Sequence, residues 1–207
     1  GGIAAVVVGD GVVHSPTGAK GNLIRLDDPI SKTSLATMAK SISRHGCIAG
    51  MELNHGGMYT RGMVQAGRPL YGPSPVKKDD SYHGDLEHVI EMPEDVILEI
   101  IEAFGKAAAV VKRQGFGMVT IHAGHGWLLH QFMSTRLNFR TDKWGGSLEN
   151  RMRFPLAVAE SVRRAVGPSF PIEIRISGAE WAMAEDNGYD IDEGVRFAKA
   201  LDGFVDI

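Results

Sequence analysis

The sequence predicts an α/β fold built on a parallel sheet, and three observations lead to this prediction. Short apolar runs alternate with longer amphipathic segments in the order β-α-β-α-β-α-β-α-β, a pattern typical of parallel strands joined by helices. The apolar runs are continuous, as expected for strands covered on both faces. Finally, several of these runs carry titratable residues at their ends, where α/β proteins place their chemistry.

The predicted strands are short and regularly spaced. They lie at residues 3–8, 47–53, 116–121, 171–177 and, as a run that is cut off, 204–207. No G-x-G-x-x-G follows the first strand, which disfavours a dinucleotide-binding doubly wound sheet. The pattern alone still leaves both that sheet and an eight-fold barrel open. Because the chain starts and stops inside core elements, we expect it to be a piece of a longer protein.

The first two predicted helices have clear boundaries. One runs over residues 31–45 and ends at Gly46, a residue type that closes helices. The other opens with Pro93 at its first position, and Glu94 and Asp95 in its first turn favour the positive end of the helix dipole. Both segments carry an apolar stripe at helical spacing.

Two further helices are predicted in the second half of the chain. The first covers residues 147–166, where Pro155 is awkward and must sit in a first turn or cause a kink. The second is capped by Asp190, has Glu193 three residues later, and is closed by Gly203.

Composition excludes several classes of function. The formal charge of -3 and a pI near 6.3 give no reason to expect nucleic acid or an anionic membrane as partner. No apolar run is long enough for a membrane span, and no secretory signal opens the chain, so we expect a cytoplasmic location. The single Cys47 excludes an internal disulfide, and its apolar neighbours predict a buried structural thiol.

One long segment separates the second strand from the second helix. Residues 58–92 hold many of the prolines and glycines and a polar patch, K-K-D-D-S-Y-H-G-D. An irregular segment of this length in a compact domain is usually a lid or a binding loop. A disordered insertion is the alternative.

Polar side chains at the strand ends define a candidate site. They are Asp10 after the first strand, Glu52 and His55 at the second, His122 and His125 at the third, and Arg175 in the fourth. If the strands are parallel, these residues converge at one rim. Two imidazoles, a carboxylate and a guanidinium suit a planar ligand that takes on negative charge. For Arg175, a structural ion pair with Glu173 or Glu52 is the alternative.

The His122-x-x-His125 spacing leaves a second hypothesis open. With Glu52, the two histidines could ligate a metal ion, as in a metal-dependent barrel lyase or aldolase. The spacing is common and specifies no third ligand, so we favour a site without metal. We expect His130 to lie on a loop or helix face without a special role.

The charged stretch R-T-D-K-W-G-G-S-L-E-N-R-M-R, residues 140–153, resembles a capped helix entry. By itself it predicts that Asp142, Glu149, Asn150 and Arg151 tie the loop down.

Two long motifs together closely resemble the Old Yellow Enzyme family. They are H-A-G-H-G-W-L-L-H-Q-F and N-F-R-T-D-K-W-G-G-S-L-E-N-R-M-R-F. This is the NADH:flavin oxidoreductase group that includes bacterial 2,4-dienoyl-CoA reductases, and the resemblance covers essentially the whole chain. It implies a TIM (β/α)8 barrel of which this chain covers about strands 2 to 6. Residues 1–207 would then form a single partial FMN-binding domain, truncated at both ends.

The resemblance also implies an activity and site roles. In this family NADH or NADPH reduces FMN at the C-terminal rim, and hydride then passes to the β-carbon of an activated alkene, of enoate or enoyl-CoA type. His122 and His125 match the pair that hydrogen-bonds the substrate carbonyl. Arg175 matches the arginine beside flavin N1 and the C2 carbonyl, and Asp10 falls near the flavin ring.

Two positions depart from the family pattern. The usual tyrosine that protonates the substrate falls at Trp127, and an indole N–H is a very poor acid. The proton would therefore come from water or from a residue beyond Ile207, or the reaction is not a simple alkene reduction. The usual glutamine at the pyrimidine edge of the flavin falls at Glu52, which accepts from N3–H but cannot donate unless protonated. We still expect FMN to bind.

Other family features fall outside the chain. The phosphate grip lies in the loops after barrel strands seven and eight, so we expect this segment alone to bind FMN weakly or not at all, and an inactive barrel fragment is a third hypothesis. Larger members carry an iron–sulfur cluster and a second nucleotide domain after the barrel. The expected partner is a small-molecule alkene, and the sequence leaves a homo-oligomer open.

Overall fold

The fold of this protein, in a computed structural model, is organised around a parallel sheet. The structure describes residues 2–19, 23–60, 62–76, 88–181 and 188–207. The described strands are β1 (Ala5–Val12), β2 (Ile24–Arg25), β3 (Ile48–Asn54), β4 (Leu70–Gly72), β5 (Val89–Glu91), β6 (Met118–Ala123) and β7 (Ile172–Ile176). Five of them form one parallel sheet in the order β2-β1-β3-β6-β7, and β4 pairs with β5 separately.

Helices follow the main strands, as the alternation predicts. Those described are α1 (Ser15–Gly18), α2 (Ser31–Ser43), α3 (Gly62–Gln65), α4 (Glu94–Arg113), α5 (Leu128–Met133), α6 (Leu148–Val166), α7 (Ile191–Ala200) and a 3-10 turn (Gly57–Tyr59). The helices α2, α4, α6 and α7 are those predicted. None of the described helices combines the length and apolar character needed to cross a membrane.

The two faces of the sheet differ because side chains alternate along each strand. One face joins the core under the helices through Ala49, Met51, Leu53, Val119, Ile121 and Ile172. On the other face, strand register sets Glu52, Thr120 and Glu173 in one row. His122 and Arg175 are neighbours in the next row. The register thus gathers polar residues on one face near the strand ends.

Helices α4 and α6 pack closely behind the sheet. A β-carbon at Gly105 would lie 2.6 Å from Ser161 Oγ, so a glycine is required where the two helices meet. The N-cap of α4 is Pro93, one position earlier than predicted, and Glu94 and Asp95 occupy the first turn. The N-cap of α6 is Ser147, whose hydroxyl accepts from the Asn150 N–H.

Of the two alternatives for Pro155, the structure excludes the first turn. The helix α6 runs from Leu148 to Val166 with Pro155 in its interior and buried. Proline leaves the carbonyl of Arg151 without its intrahelical donor. Apolar burial on both sides, at Met152 and Val158 among others, offsets that cost.

The sequence overestimates burial near the start of the sheet. Ile3 is 69% exposed and Val6 is 37% exposed, so the first strand is not covered on both faces along its length. Only its far end, at Val12, reaches full burial. Cys47 is half-buried rather than buried.

The run 204–207 is not a strand, although its backbone follows β7. The Asp206 N–H donates to the Ile172 carbonyl at 2.8 Å, and the Ile174 N–H donates to the Ile207 carbonyl at 3.0 Å. Residues 58–92 are more ordered than predicted, because their described part contains α3, β4 and β5. Residues 61 and 77–87, which include the polar patch, lie outside the described residues.

Candidate functional site

An ion pair crosses the polar face of the sheet. Arg175 Nη1 lies 3.0 Å from Glu52 Oε2, with the Glu52 side chain 6% exposed and that of Arg175 46% exposed. Burial raises the pKa of Glu52, and Arg175 opposes that rise. Glu173 is engaged elsewhere, because its carboxylate accepts from the Thr120 hydroxyl at 2.6 Å. Of the two partners considered for Arg175, the structure selects Glu52.

His122 is a buried, neutral imidazole at the end of β6. Its Nδ1 accepts from the Gly124 N–H at 3.3 Å, so the neutral ring carries its proton on Nε2. Burial, together with the positive charges of His125 and Arg175, lowers the pKa of His122 to about 4. His122 is therefore a hydrogen-bond donor through Nε2 at neutral pH.

His125 stands beside it on a tight turn. The two rings meet edge to face with centroids 5.2 Å apart. His125 is exposed and has φ 55°, a left-handed conformation that histidine tolerates better than most residues. Its N–H donates to Ser177 Oγ at 3.1 Å. A β-carbon at Gly124 would lie 3.2 Å from the Ser177 nitrogen, a tight contact that favours glycine in the turn.

Trp127 completes an aromatic cluster around the two histidines. Its ring is edge-on to His122, with centroids 6.2 Å apart, and to Tyr59, at 6.4 Å. As N-cap residue of α5, it begins a helix whose residues are all buried. The next N–H, of Leu128, donates to the His55 carbonyl at 3.0 Å. The end of β3 thereby holds the start of α5.

His130 has a larger role than the sequence suggests, and the expectation of no special role is wrong. Its Nδ1 accepts from the Gly126 N–H at 2.6 Å, and its Nε2 lies 3.2 Å from Glu180 Oε1. Burial acts to raise the pKa of Glu180, but hydrogen bonds from His130 and Ser134 outweigh it and the pKa is lowered. His130 thus fixes the turn that carries His125 and Trp127. In the sequence, the feature that could have indicated this contact is the position of His130 one helical turn after Gly126.

Asp10 lies beside Glu52, at an irregularity in β1. The register with β3 shifts between Val8 and Gly11, and Asp10 has φ 56°. Its carboxylate accepts from Asn54 Nδ2 at 3.1 Å, and its backbone N–H donates a hydrogen bond to the Glu52 carboxylate. Among the described residues nothing hydrogen-bonds to the buried Asn54 Oδ1. An unpaired buried acceptor of this kind calls for a ligand or water.

His55 does not converge with the other candidates. Its Nδ1 accepts from the Gly57 N–H at 3.1 Å, and its Nε2 lies 2.9 Å from Thr17 Oγ1. Thr17 in turn contacts His14 Nδ1 at 2.7 Å, and His14 Nε2 lies 3.2 Å from Glu99. Burial lowers the pKa of His55 to about 3. This histidine holds the strand end in place within a separate network.

A cavity of about 270 Å³ opens beside the histidine pair. It is lined by Tyr59, His125, Gly126, His130, Arg136, Leu137, Ala179, Glu180 and Trp181. The cavity lies on the His125 side of the site, and Glu52 and Arg175 do not line it. A small organic molecule held there would contact His125 directly.

The metal hypothesis finds no support in the donor geometry. The described residues contain no group of three or more His, Cys, Asp or Glu side chains placed to hold a metal ion. His122, His125 and Glu52 therefore do not form the three-ligand site that a metal-dependent lyase needs.

The loop before α6 is tied down by two arginines. Arg140 pairs with Asp142 through two parallel contacts, Nε to Oδ1 at 3.0 Å and Nη2 to Oδ2 at 2.6 Å. That hydrogen bonding lowers the pKa of Asp142. Arg140 Nη1 also donates to the carbonyls of Pro73, at 3.1 Å, and Met92, at 2.9 Å. The loop is thus anchored to the segments flanking the β4–β5 pair.

Arg151 provides the second anchor. It donates to the Met133 carbonyl at 2.5 Å and to the Glu193 carboxylate at 2.7 and 2.9 Å. Asn150 Nδ2 donates to the carbonyl of Asp142 at 3.4 Å. Glu149 is exposed and pairs with a residue of α7 instead. Three of the four residues predicted to tie the loop therefore do so.

A family model gives this arrangement its context. The model of the NADH:flavin oxidoreductase / NADH oxidase family matches residues 2–205. The chain belongs to this family.

Individual relatives agree with the family match. The chain is 34% identical to NADH oxidase of Thermoanaerobacter brockii over 203 residues, 98% of this chain and 30% of that protein. It is 39% identical to cinnamate reductase of Clostridium sporogenes over 123 residues, 54% of this chain and 18% of that protein. A structure of 2-naphthoyl-CoA reductase with 2-naphthoyl-CoA superimposes with TM-score 0.86 at 26% identity, over 98% of this chain and 32% of that one.

These comparisons confirm the predicted fold class. The five-stranded sheet is part of a TIM barrel, and its strand ends form part of the rim that carries the site in such barrels. The chain spans about a third of the length of the NADH oxidase and the 2-naphthoyl-CoA reductase that it matches.

Proposed function

We propose that this protein is an FMN-dependent oxidoreductase that transfers hydride from NADH or NADPH, through the flavin, to an activated C=C bond. The observation that carries the proposal is the pairing of two imidazoles, His122 and His125, next to the Arg175–Glu52 ion pair at one rim. The chain belongs to the NADH:flavin oxidoreductase family, and in this proposal the combination would provide both a flavin-binding edge and a carbonyl-binding pair.

The residues present fit the flavin ring. A half-exposed guanidinium at Arg175 can stabilise the negative charge that the ring gains on reduction. The raised pKa of Glu52 brings its protonated form, which can both donate and accept, closer to neutral pH. The unpaired Asn54 Oδ1 offers a further acceptor nearby. In this proposal Arg175 would lie at flavin N1 and the C2 carbonyl, Glu52 at N3–H, and Asp10 near the ring.

The flavin, when bound, supplies the hydride, and the chain's own residues orient the alkene. Neutral His122, through Nε2–H, and His125 would both donate to the substrate's carbonyl oxygen. Donors aimed at an oxygen that gains charge in the transition state are an effective catalytic device. The relatives named for cinnamate and for 2-naphthoyl-CoA reduction support an enoate or enoyl-CoA substrate.

The wider assignment is part of the same proposal. Residues 1–207 would form a single partial FMN-binding barrel domain. An NAD(P)H-consuming reaction fits a cytoplasmic location, and a homo-oligomer is compatible with it. Any iron–sulfur cluster would need cysteines outside this chain, which has only Cys47.

The test is a visible spectrum of the protein expressed from its complete coding sequence and supplied with FMN. We expect a flavin spectrum that bleaches on anaerobic addition of NADH or NADPH and returns on addition of 2-cyclohexen-1-one or cinnamate. A protein that stays colourless after incubation with FMN would refute the proposal. Bleaching without return of colour would refute the alkene as the acceptor.

A further inference from the structure

We propose that the hydroxyl of Tyr59 delivers the proton to the substrate's α-carbon, the task for which Trp127 is chemically unsuited. This inference rests on the proposed function and adds to it the identity of the general acid. The sequence by itself predicts water or a residue beyond Ile207 as the proton source. The structure instead places a phenol within the same aromatic cluster.

The position of Tyr59 follows from the chain leaving β3. The strand ends at Asn54, and the 3-10 turn Gly57–Tyr59 follows directly, with the Tyr59 N–H donating to the Gly56 carbonyl at 3.1 Å. The ring then meets Trp127 edge to face. This short, hydrogen-bonded connection holds the phenol at a defined place beside the rim.

The hydroxyl itself lies over the turn between His125 and Trp127. A β-carbon built at Gly126 would be 3.1 Å from Tyr59 Cε2 and 3.6 Å from the phenolic oxygen. The turn is held there by the hydrogen bond from the Gly126 N–H to His130. The phenol therefore lies against Gly126, which is flanked by His125, the position for carbonyl binding, and by Trp127, the position of the family's usual proton donor.

Tyr59 and His125 also line the same cavity. A substrate whose carbonyl oxygen is bound by His125 would place its remaining atoms in the space that the Tyr59 ring borders. Tyr59 is half-buried and the cavity is open to solvent, so a phenolate formed there can take a proton from water. Access of this kind is needed for turnover.

The other acids near the motif fit the task less well. His122 is neutral at neutral pH, with its pKa lowered to about 4, and the N–H of a neutral imidazole is too weak an acid for the task. Tyr189 is 2% exposed, and burial raises its pKa and keeps it from exchanging a proton with solvent. Glu180 has a lowered pKa and is therefore an ionised carboxylate.

The chemical balance of the step is simple. Hydride forms a C–H bond at the β-carbon, and the electron pair of the C=C bond moves toward the carbonyl oxygen held by His122 and His125. The α-carbon then takes the proton of Tyr59 Oη as that O–H bond breaks, and water returns a proton to the phenolate. The substrate gains one hydride and one proton in total, and Tyr59 ends unchanged.

The experiment separates the two half-reactions of the FMN-loaded protein in a stopped-flow instrument. We expect Tyr59→Phe to leave reduction by NADH unchanged and to slow reoxidation by 2-cyclohexen-1-one about 100-fold, the usual size of general acid catalysis. Reoxidation by ferricyanide, which needs no proton at carbon, should be unchanged. Tyr71→Phe, a tyrosine of β4 that does not line the cavity, is the matched control.

Two further measurements exclude a merely structural effect. Adding Trp127→Tyr to Tyr59→Phe should restore alkene reduction, because it returns a phenol to the neighbouring position. In the FMN-free protein, the ultraviolet difference titration between wild type and Tyr59→Phe should show one solvent-accessible phenol ionising at alkaline pH. Reoxidation of Tyr59→Phe by the enone at the wild-type rate would overturn this inference alone, whereas failure of NADH to bleach the wild type would refute the proposed function.

Discussion

Two arginines of this molecule face carboxylates in different ways. The Arg140 side chain is 4% exposed and its donors are used by Asp142 and by two backbone carbonyls. The Arg175 side chain is 46% exposed and, within the described residues, its ion pair is with Glu52. A guanidinium has five N–H donors, so Arg175 has capacity left for a ligand and Arg140 has little.

The comparison extends to the histidines. His55 uses both ring nitrogens within a buried network, as Arg140 does with its donors. His122 uses Nδ1 for the backbone and leaves the proton on Nε2 for another partner. Groups with satisfied hydrogen bonds hold the scaffold, and groups with spare donors mark the site. The predictions below test this distinction.

The largest effect is expected from Arg140→Met. The change removes the bidentate pair with Asp142 and leaves the buried carbonyls of Pro73 and Met92 without a donor. Asp142 is 46% exposed and stays solvated, so the main loss comes from the two carbonyls, each of which costs about 1–3 kcal/mol in the free energy of unfolding when left unpaired. Chemical denaturation measures the loss, with Arg196→Met, which breaks the exposed pair with Glu149, as a control in which we expect a much smaller loss. Equal losses of unfolding free energy in Arg140→Met and Arg196→Met would contradict the view that groups with fully used hydrogen bonds hold the scaffold.

A smaller effect on stability follows from His55 when the pH falls. Its pKa is about 3 in the folded state and 6.5 unfolded, so the unfolded chain binds the extra proton below pH 6.5. The stabilisation is complete above that pH and is lost as the pH falls toward the folded value, about 2 kcal/mol by pH near 5. The plot of unfolding free energy against pH should lose part of its slope in His55→Gln, with His122 supplying a remainder, and keep its full slope in His45→Gln, since His45 is exposed.

Arg175→Met should have the smallest effect on stability. It should instead weaken the binding of FMN selectively. The Arg175 side chain is half-exposed, and the buried Glu52 left without it can take up a proton because burial already raises its pKa, so the denaturation midpoint should move less than in the other two variants. FMN affinity should fall about tenfold, the worth of one hydrogen bond to a charged group. Quenching of flavin fluorescence measures it, and Arg175→Lys, which keeps the charge but not the fork, should fall in between. Unchanged affinity in both variants would place the flavin elsewhere.

Local patterns in the sequence predicted most of the scaffold. The β-α alternation and the cap at Asp190 concern neighbours in the chain, and the structure has them where expected. The pairing of Arg175 with Glu52 rather than Glu173 could not be predicted, because it depends on the register between strands that are distant in sequence. The same holds for His130, whose contact with Glu180 joins segments 50 residues apart.

The sequence by itself determined the parallel α/β architecture, the helix ends and the motif that identifies the family, since each of these is written in local spacing and residue type. Only the tertiary structure decided which polar groups are satisfied within the protein and which keep donors or acceptors free. It placed Tyr59 against Trp127 and moved His55 out of the site. The physical reason is that hydrogen-bond satisfaction and burial are properties of the assembled neighbours, and those neighbours come from different strands.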